Sequence, residues 1–257
     1  MPFLSLPSSL APRRVHIQGP PNTGKTHSFL GWTRPAFYVG LPGEKGSATL
    51  PSGLPDLTAF RWESNPAEKT SSQAVLTAVE GLVFPILAGK QGVCVSLMLD
   101  GIHKYYGHVL NHVTGGAHFR GEQFEAKEYA RAHERFNFFL DQVLSSPIEY
   151  VVTTSWDGRE ADKPELQSAS PTHIFPDLPG KMAKRIMGEY PIVLYSSIKH
   201  DANGKVESAS WQLKPAGNVW GAAVKAPAEV VARLPVSIPQ DFNILAKALQ
   251  GAWEGKK

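Results

Sequence analysis

The octapeptide Gly19-Pro20-Pro21-Asn22-Thr23-Gly24-Lys25-Thr26 constrains this chain more than any other stretch. It matches G-x-x-x-x-G-K-[ST] at every fixed position. The short apolar run Val15-His16-Ile17 precedes it and a helix-like run, Lys25 to Trp32, follows, which is the strand–loop–helix context the motif requires. Gly19 and Gly24 let the backbone wrap so that amide groups face inward around a polyphosphate, and a helix N-terminus adds partial positive charge. Lys25 suits the β- and γ-phosphates, and Thr26 suits a magnesium ion. The pattern therefore points to ATP and Mg²⁺ as ligands, with the whole of Gly19, Pro20, Pro21, Asn22, Thr23, Gly24, Lys25 and Thr26 forming the cradle.

The totals agree with one α/β domain that buries a substantial core: 257 residues, 42% hydrophobic and 19% charged. A net charge of +3 permits contact with nucleic acid without arguing for it. The single cysteine, Cys94, excludes an internal disulfide and a Cys-rich metal cluster, and fits a reducing cytoplasm. No apolar run has the length of a membrane span. Residues 1–12 read as a flexible leader, because Arg13 and Arg14 follow its apolar part, the reverse of a secretory signal.

Strand signals lie at Arg13 to Gln18, Ala36 to Leu41, Thr58 to Trp62, Val93 to Leu99 and Tyr150 to Thr154. Ser64 to Pro66 cap a helix-like run from about Ala67 to Gly89, with Pro85 as a potential break. The apolar spacing from Gln123 to Leu144 predicts an amphipathic helix. Trp156 to Leu178 reads as a long polar loop. A short helix over Lys181 to Met187 precedes two strands, Ile192 to Ile198 and Val206 to Leu213, joined through Asn203-Gly204 as a hairpin. Helices at Ala228 to Leu234 and Asp241 to Trp253 close the chain. Strands alternating with helices predict a mostly parallel sheet with helices on both faces and a C-terminal β-hairpin. Residues 13–224 form the main domain on this reading, and 225–257 a helical extension.

Magnesium needs a second anchor, and Asp100 ends the apolar strand VCVSLMLD. An Asp-Gly turn also suits a strand end; beside the glycine-rich loop, the metal role is favoured. Gly101 follows where many ATPases carry a water-polarising glutamate. Glu44, in the turn after the second strand, is the alternative base, since ligands gather at the carboxyl edge of such sheets; a solvated loop glutamate is the plainer role. Thr154, at the end of YVVTT, has a hydroxyl suited to sensing a γ-phosphate, although threonine is common at strand ends. Lys181 suits a cation presented to a neighbouring subunit's nucleotide, and Lys184 and Arg185 less so. His103, His108, His112 and His118 crowd one region, but no acid or cysteine stands at ligand spacing, which favours a polar loop over zinc.

GPPNTGKT, the glutamate after the second strand, LMLDGIHKYY, VVTTSWD and FPDLPGKMAKRIMGEYPIVLYS occur in an order that resembles phage-type RecA-like ATPases. These form the phage nucleotide-binding AAA-type family, which includes the single-strand-annealing recombinases of the Sak group. The resemblance spans about Arg13 to Leu213. It implies a RecA-like P-loop NTPase core, Mg-ATP hydrolysis, a homo-oligomer, single-stranded DNA as partner and a host-cell cytoplasmic location. The family's acidic turn reads close to Asp-Thr-Glu-Gly-Gly; here Pro42-Gly43-Glu44-Lys45-Gly46 keeps the glutamate and final glycine but has Pro42 for the first acid. The loop from Trp156 stands where DNA contacts would fall, yet its charges are mixed, so DNA binding rests on the resemblance. Two other readings stay open, a DNA-independent ATPase motor or loader and a nucleotide-gated binding protein with little turnover.

Overall fold

The computed structural model describes residues 13–44, 46–51, 53–61, 71–159, 172–216 and 219–255. The expected leader, the start of the helix expected from Ala67 and the middle of the loop after Trp156 lie outside the described residues. The chain divides into two compact units, one built from the chain up to Trp32 together with Thr154 onward, the other from Thr33–Thr153.

In chain order, β1 (Arg14–Gln18) enters the glycine loop, and His27–Gly31 then forms a 3₁₀ helix, not the α-helix expected from Lys25. The first turn makes an α-type bond, Ser28 N–H to Gly24 O at 2.9 Å, and then tightens to Phe29 N–H to Thr26 O at 3.1 Å. β2 (Ala36–Gly40) and β3 (Leu57–Arg61) precede α1 (Ser72–Leu87). Ser71 caps α1 by accepting the Ala74 N–H, and its apolar stripe is Val75, Leu76, Val79, Val83 and Ile86. Pro85 does not break the helix: it sits in the last turn, two residues from the end. β4 (Ser96–Asp100) is shorter than expected because Val93 stands 75% exposed.

The histidine-rich segment is helical and not a polar loop: α2 (Ile102–Val113) is followed by α3 (Ala117–Arg120). His103 is buried within it. α4 (Ala126–Ser145) carries the expected stripe, with Ala132, Phe136, Phe139, Leu140 and Val143 buried, and a capping box between Glu125 and Glu128. β5 (Tyr150–Ser155) is buried throughout. The expected long loop carries two strands, β6 (Asp157–Arg159) and β7 (Thr172–Pro176), paired antiparallel. After α5 (Gly180–Glu189), β8 (Ile192–His200) and β9 (Val206–Gln212) form the expected hairpin. β10 (Val219–Trp220), β11 (Ala223–Val224), α6 (Ala228–Arg233), β12 (Ser237–Pro239) and α7 (Phe242–Glu254) complete the order.

The architecture is mixed α/β with a mostly parallel sheet. In the first unit β8 pairs parallel with β1, so that Ile17 lies beside Leu194 and Gln18 beside Tyr195. β9 and β11 pair antiparallel with β8, β12 extends β9, and β10 runs parallel to β7. In the second unit β5-β4-β2-β3 are all parallel, with Gly40 opposite both Arg61 and Asp100. Parallel strands need crossovers: α1 carries the chain from the edge strand β3 past β2 to β4, and α2 to α4 connect the neighbours β4 and β5. Their central strands are buried and rich in Val, Leu and Met, as strands covered on both faces are.

An internal clamp joins the three long helices of this unit. Arg135 on α4 donates from Nε and Nη2 to the two oxygens of Glu80 on α1, each at 2.9 Å, and the Tyr105 hydroxyl on α2 donates to Glu80 Oε1 at 2.7 Å. Arg135→Ala is expected to cost about 1–3 kcal/mol by stranding a part-buried carboxylate. That corresponds to a fall in the unfolding midpoint of roughly 2–12 °C. An unchanged midpoint in thermal denaturation would show the clamp to be idle.

Candidate active site: a glycine-rich cradle and an acidic strand tip

In the first unit, β1 delivers the chain into the loop through Gln18, whose amide donates to Ile174 O at 3.3 Å and to Gly221 O at 2.5 Å. Gly19 follows at φ +151°, and a Cβ there would stand 2.4 Å from Ser196 O. A side chain is therefore excluded on both backbone and packing grounds. Asn22 takes φ +62°, a left-handed conformation that asparagine tolerates better than most residues. The Thr23 hydroxyl donates to Pro20 O at 2.9 Å, which closes the turn.

The loop is also held from outside. Ser196 on β8 donates its hydroxyl to Thr23 O at 2.9 Å. Gln240, just after β12, brings its amide nitrogen to 2.8 Å from both Thr23 O and Ser196 Oγ, and to 3.2 Å from Ser210 O. Neither tie was legible in the sequence, because each crosses more than 170 positions and no motif marks it. Trp32, past the 3₁₀ turn, packs tilted against Phe242 of α7 with centroids 4.4 Å apart, so the last helix meets the segment that follows the loop.

Lys25 is buried, and its ammonium donates to Gly19 O and Pro20 O, each at 2.7 Å. It thus sits across the mouth of its own loop. Thr26 is partly exposed, with helical φ and ψ. The 3₁₀ helix behind it has only five residues, so the dipole contribution expected of a full helix is mostly missing here. Cationic charge at the loop comes chiefly from Lys25. Thr154 is fully buried in β5, and its neighbour Ser155 lies 3.0 Å from His16 Nε2 while donating to Trp156 O at 2.8 Å. Lys181 and Lys184 are exposed on α5, whereas Arg185 is paired with Glu189 at 2.8 Å.

In the second unit the tip of β4 and the turn after β2 interlock. Asp100 is buried, and its Oδ2 accepts the Tyr38 hydroxyl at 2.8 Å. Leu41 N–H donates to Asp100 O at 2.9 Å, which draws the turn from Leu41 to Glu44 onto the strand tip. Gly101 stands at φ +91°, and a Cβ there would meet Glu44 Cγ at 2.2 Å and Glu44 Oε1 at 2.8 Å. The Glu44 side chain therefore lies in the space that a residue-101 side chain would fill. The acid missing after Asp100 in the chain is present there in space. His103 Nε2, from the second residue of α2, lies 3.5 Å from Glu44 Oε1, and the Lys104 stem lies against Gly43.

Among the described residues no group of three or more His, Cys, Asp or Glu is arranged to hold a metal. His108 instead contacts Ser72 at 3.3 Å and the edge of Phe119, and burial lowers its pKa. None of the described helices is long and apolar enough to cross a membrane.

A family model described as AAA domain matches residues 11–221, which is most of the chain. The chain belongs to the AAA domain family. Comparison of this AAA domain with curated proteins finds no match. Among solved structures it is similar to the ATPase EscN of enteropathogenic E. coli, solved in complex with its central stalk EscO from a type III secretion system. That match has 15% identity and a TM-score of 0.47, over 73% of this chain and 42% of EscN. It is also similar to the Legionella pneumophila ATPase DotB, at 11% identity and a TM-score of 0.32, over 82% of this chain and 50% of DotB. The AAA domain described here thus spans half or less of the length of either of these chains.

Gly101→Ala tests the seat of Glu44 against a control. Gly115 also has positive φ, +59°, but open space around it. Ala at Gly115 is expected to cost about 1 kcal/mol of backbone strain, and Ala at Gly101 about 2–4 kcal/mol, since it adds the clash. Equal losses on thermal denaturation would show that Glu44 moves aside without cost.

Proposed function

We propose that this AAA domain binds Mg-ATP at Gly19–Thr26 and hydrolyses it with Glu44 as general base. The observation that carries this reading is the Glu44 carboxylate packed over Gly101, directly beside the strand-tip Asp100. A buried strand-tip aspartate with a glutamate at its shoulder is the pairing that metal-assisted phosphoryl transfer to water calls for.

Thr26 in the first unit offers a hydroxyl and Asp100 in the second a carboxylate, each an oxygen donor of the kind a hard divalent cation takes. When bound, magnesium neutralises charge on the β- and γ-phosphates. Tyr38, by donating to Asp100 Oδ2, fixes the orientation of that carboxylate. Lys25 exchanges its two carbonyl partners for phosphate oxygens and stabilises the charge that develops as the terminal bond breaks. Glu44 takes a proton from the attacking water. The water oxygen bonds to the γ-phosphorus, and the bond to ADP breaks with its electron pair leaving on ADP. Ser196 and Gln240 keep the loop in shape while Lys25 moves. Thr154 is the candidate γ-phosphate sensor. The exposed Lys181 is the candidate cation for a neighbouring copy in a homo-oligomer.

The finer role we propose is phage-type DNA recombination or single-strand annealing, with single-stranded DNA as the partner. It rests on the ordered set of motifs from GPPNTGKT to FPDLPGKMAKRIMGEYPIVLYS.

Lys25→Ala is expected to lower turnover at least ~10³-fold, and Glu44→Gln ~10²–10⁴-fold while Mg-ATP binding persists. Steady-state ATPase assays and calorimetry read the two separately. Normal turnover in Glu44→Gln would assign the base elsewhere. Titrating single-stranded DNA into the wild-type assay at several salt concentrations tests the finer role. Stimulation that weakens with salt supports it, and a rate indifferent to DNA supports a motor or loader.

A further inference from the structure

We propose that His103 is a positioning residue for Glu44, holding its carboxylate in the place left by Gly101. The role rests on the reading of Glu44 as general base and extends it to the residue that aims that base.

Three features place the Glu44 side chain, two of them in direct contact with it. Gly101 provides the space, Leu41 N–H to Asp100 O fixes the turn that carries Glu44, and His103 Nε2 reaches to 3.5 Å from Glu44 Oε1. The two side chains are nearly enclosed, at 5% exposure for His103 and 13% for Glu44. A glutamate has three rotatable bonds, and packing over a glycine limits where the chain lies without fixing which way the carboxylate faces. A partner to one oxygen fixes that. His103 is placed for this by chain geometry: Gly101, in the left-handed conformation, turns the chain from β4 into α2, and His103 falls in the first turn beside the strand tip. At 3.5 Å His103 Nε2 is in ion-pair range of Glu44 Oε1 without hydrogen-bond geometry, and a small approach brings a ring N–H onto Oε1, which leaves Oε2 to receive a proton from water. Rigid support from a second residue is what holds a catalytic group within the fraction of an ångström that turnover requires. Lys104, next along α2, has its stem against Gly43 and helps keep the turn seated.

The test is a double-mutant cycle on Mg-ATP turnover with His103→Ala, His103→Gln, Glu44→Gln and the double variant His103→Ala/Glu44→Gln. Calorimetry with Mg²⁺ and a non-hydrolysable ATP analogue checks that each variant still binds. His103→Ala is expected to lower kcat roughly 10–100-fold with binding within about threefold of wild type. His103→Gln, which retains an N–H donor, is expected to recover most of that loss. On the Glu44→Gln background, His103→Ala is expected to add less than about twofold, because there is no base left to aim. A kcat near wild type in His103→Ala, with Glu44→Gln inactive, would overturn the positioning role and leave the base assignment standing. Normal turnover in Glu44→Gln would remove the base assignment and the positioning role with it. Loss of analogue binding in both His103 variants, or an equal His103→Ala effect on both backgrounds, would make His103 a structural residue and overturn the role.

Discussion

The central constraint in this molecule is that one side chain occupies the space of another. Gly101 has no Cβ, and Glu44, 57 positions earlier, fills what that leaves. The acid beside Asp100 therefore comes from the turn after β2 and not from β4 itself. Several features follow from this exchange. Gly40 and Asp100 must be in register across β2 and β4 so that the turn starts level with the strand tip. Leu41 must bond back to Asp100 O, and Gly43 must take positive φ to bring Glu44 round. Gly101 must also be left-handed to begin α2, so its lack of a side chain serves the backbone and the packing at once.

The glycine-rich loop solves a different problem by similar means. Gly19 is required because Ser196 O stands where a Cβ would be, and Ser196 and Gln240 then hold Thr23 O. Burial of Lys25 is tolerable because two carbonyl oxygens accept hydrogen bonds from its ammonium. The weak 3₁₀ turn after the loop adds little dipole, so the lysine and the loop's own amides must carry most of the attraction for an anion. Polar groups are placed by distant strands, and the loop's own sequence only permits the shape.

Much of the fold was legible because it rests on local patterns. The apolar runs at Leu97–Leu99 and Val151–Val152, and Val15 and Ile17 on either side of His16, fell on buried parallel strands. The 3.6-residue stripe of α4 and the Asn203-Gly204 turn between β8 and β9 were likewise where periodicity and turn chemistry put them. The pattern from Lys25 to Trp32 does not distinguish 3₁₀ from α geometry, and the helix there is the short 3₁₀ turn His27–Gly31. Glycines and histidines dilute the period of the histidine-rich stretch, so its sequence resembles a polar loop. Its buried residues Ile102, Tyr105, Tyr106, Val109 and Leu110 nevertheless keep helical spacing. In the candidate site, Lys25, Thr26, Asp100 and Glu44 could be named from motifs. The partners that shape them, Ser196, Gln240, Tyr38 and His103, could not, since each acts through a tertiary contact that no local spacing encodes.

The most direct measurement is a crystal structure of the full chain with Mg²⁺ and a γ-phosphate transition-state mimic of ATP. The account predicts the nucleotide phosphates in the Gly19–Thr26 loop, with Lys25 turned away from Gly19 O and Pro20 O toward them. It further predicts the Glu44 carboxylate still over Gly101 and hydrogen-bonded to the water in line with the mimic. A nucleotide bound elsewhere, or an in-line water held by another residue while Glu44 faces solvent, would contradict it.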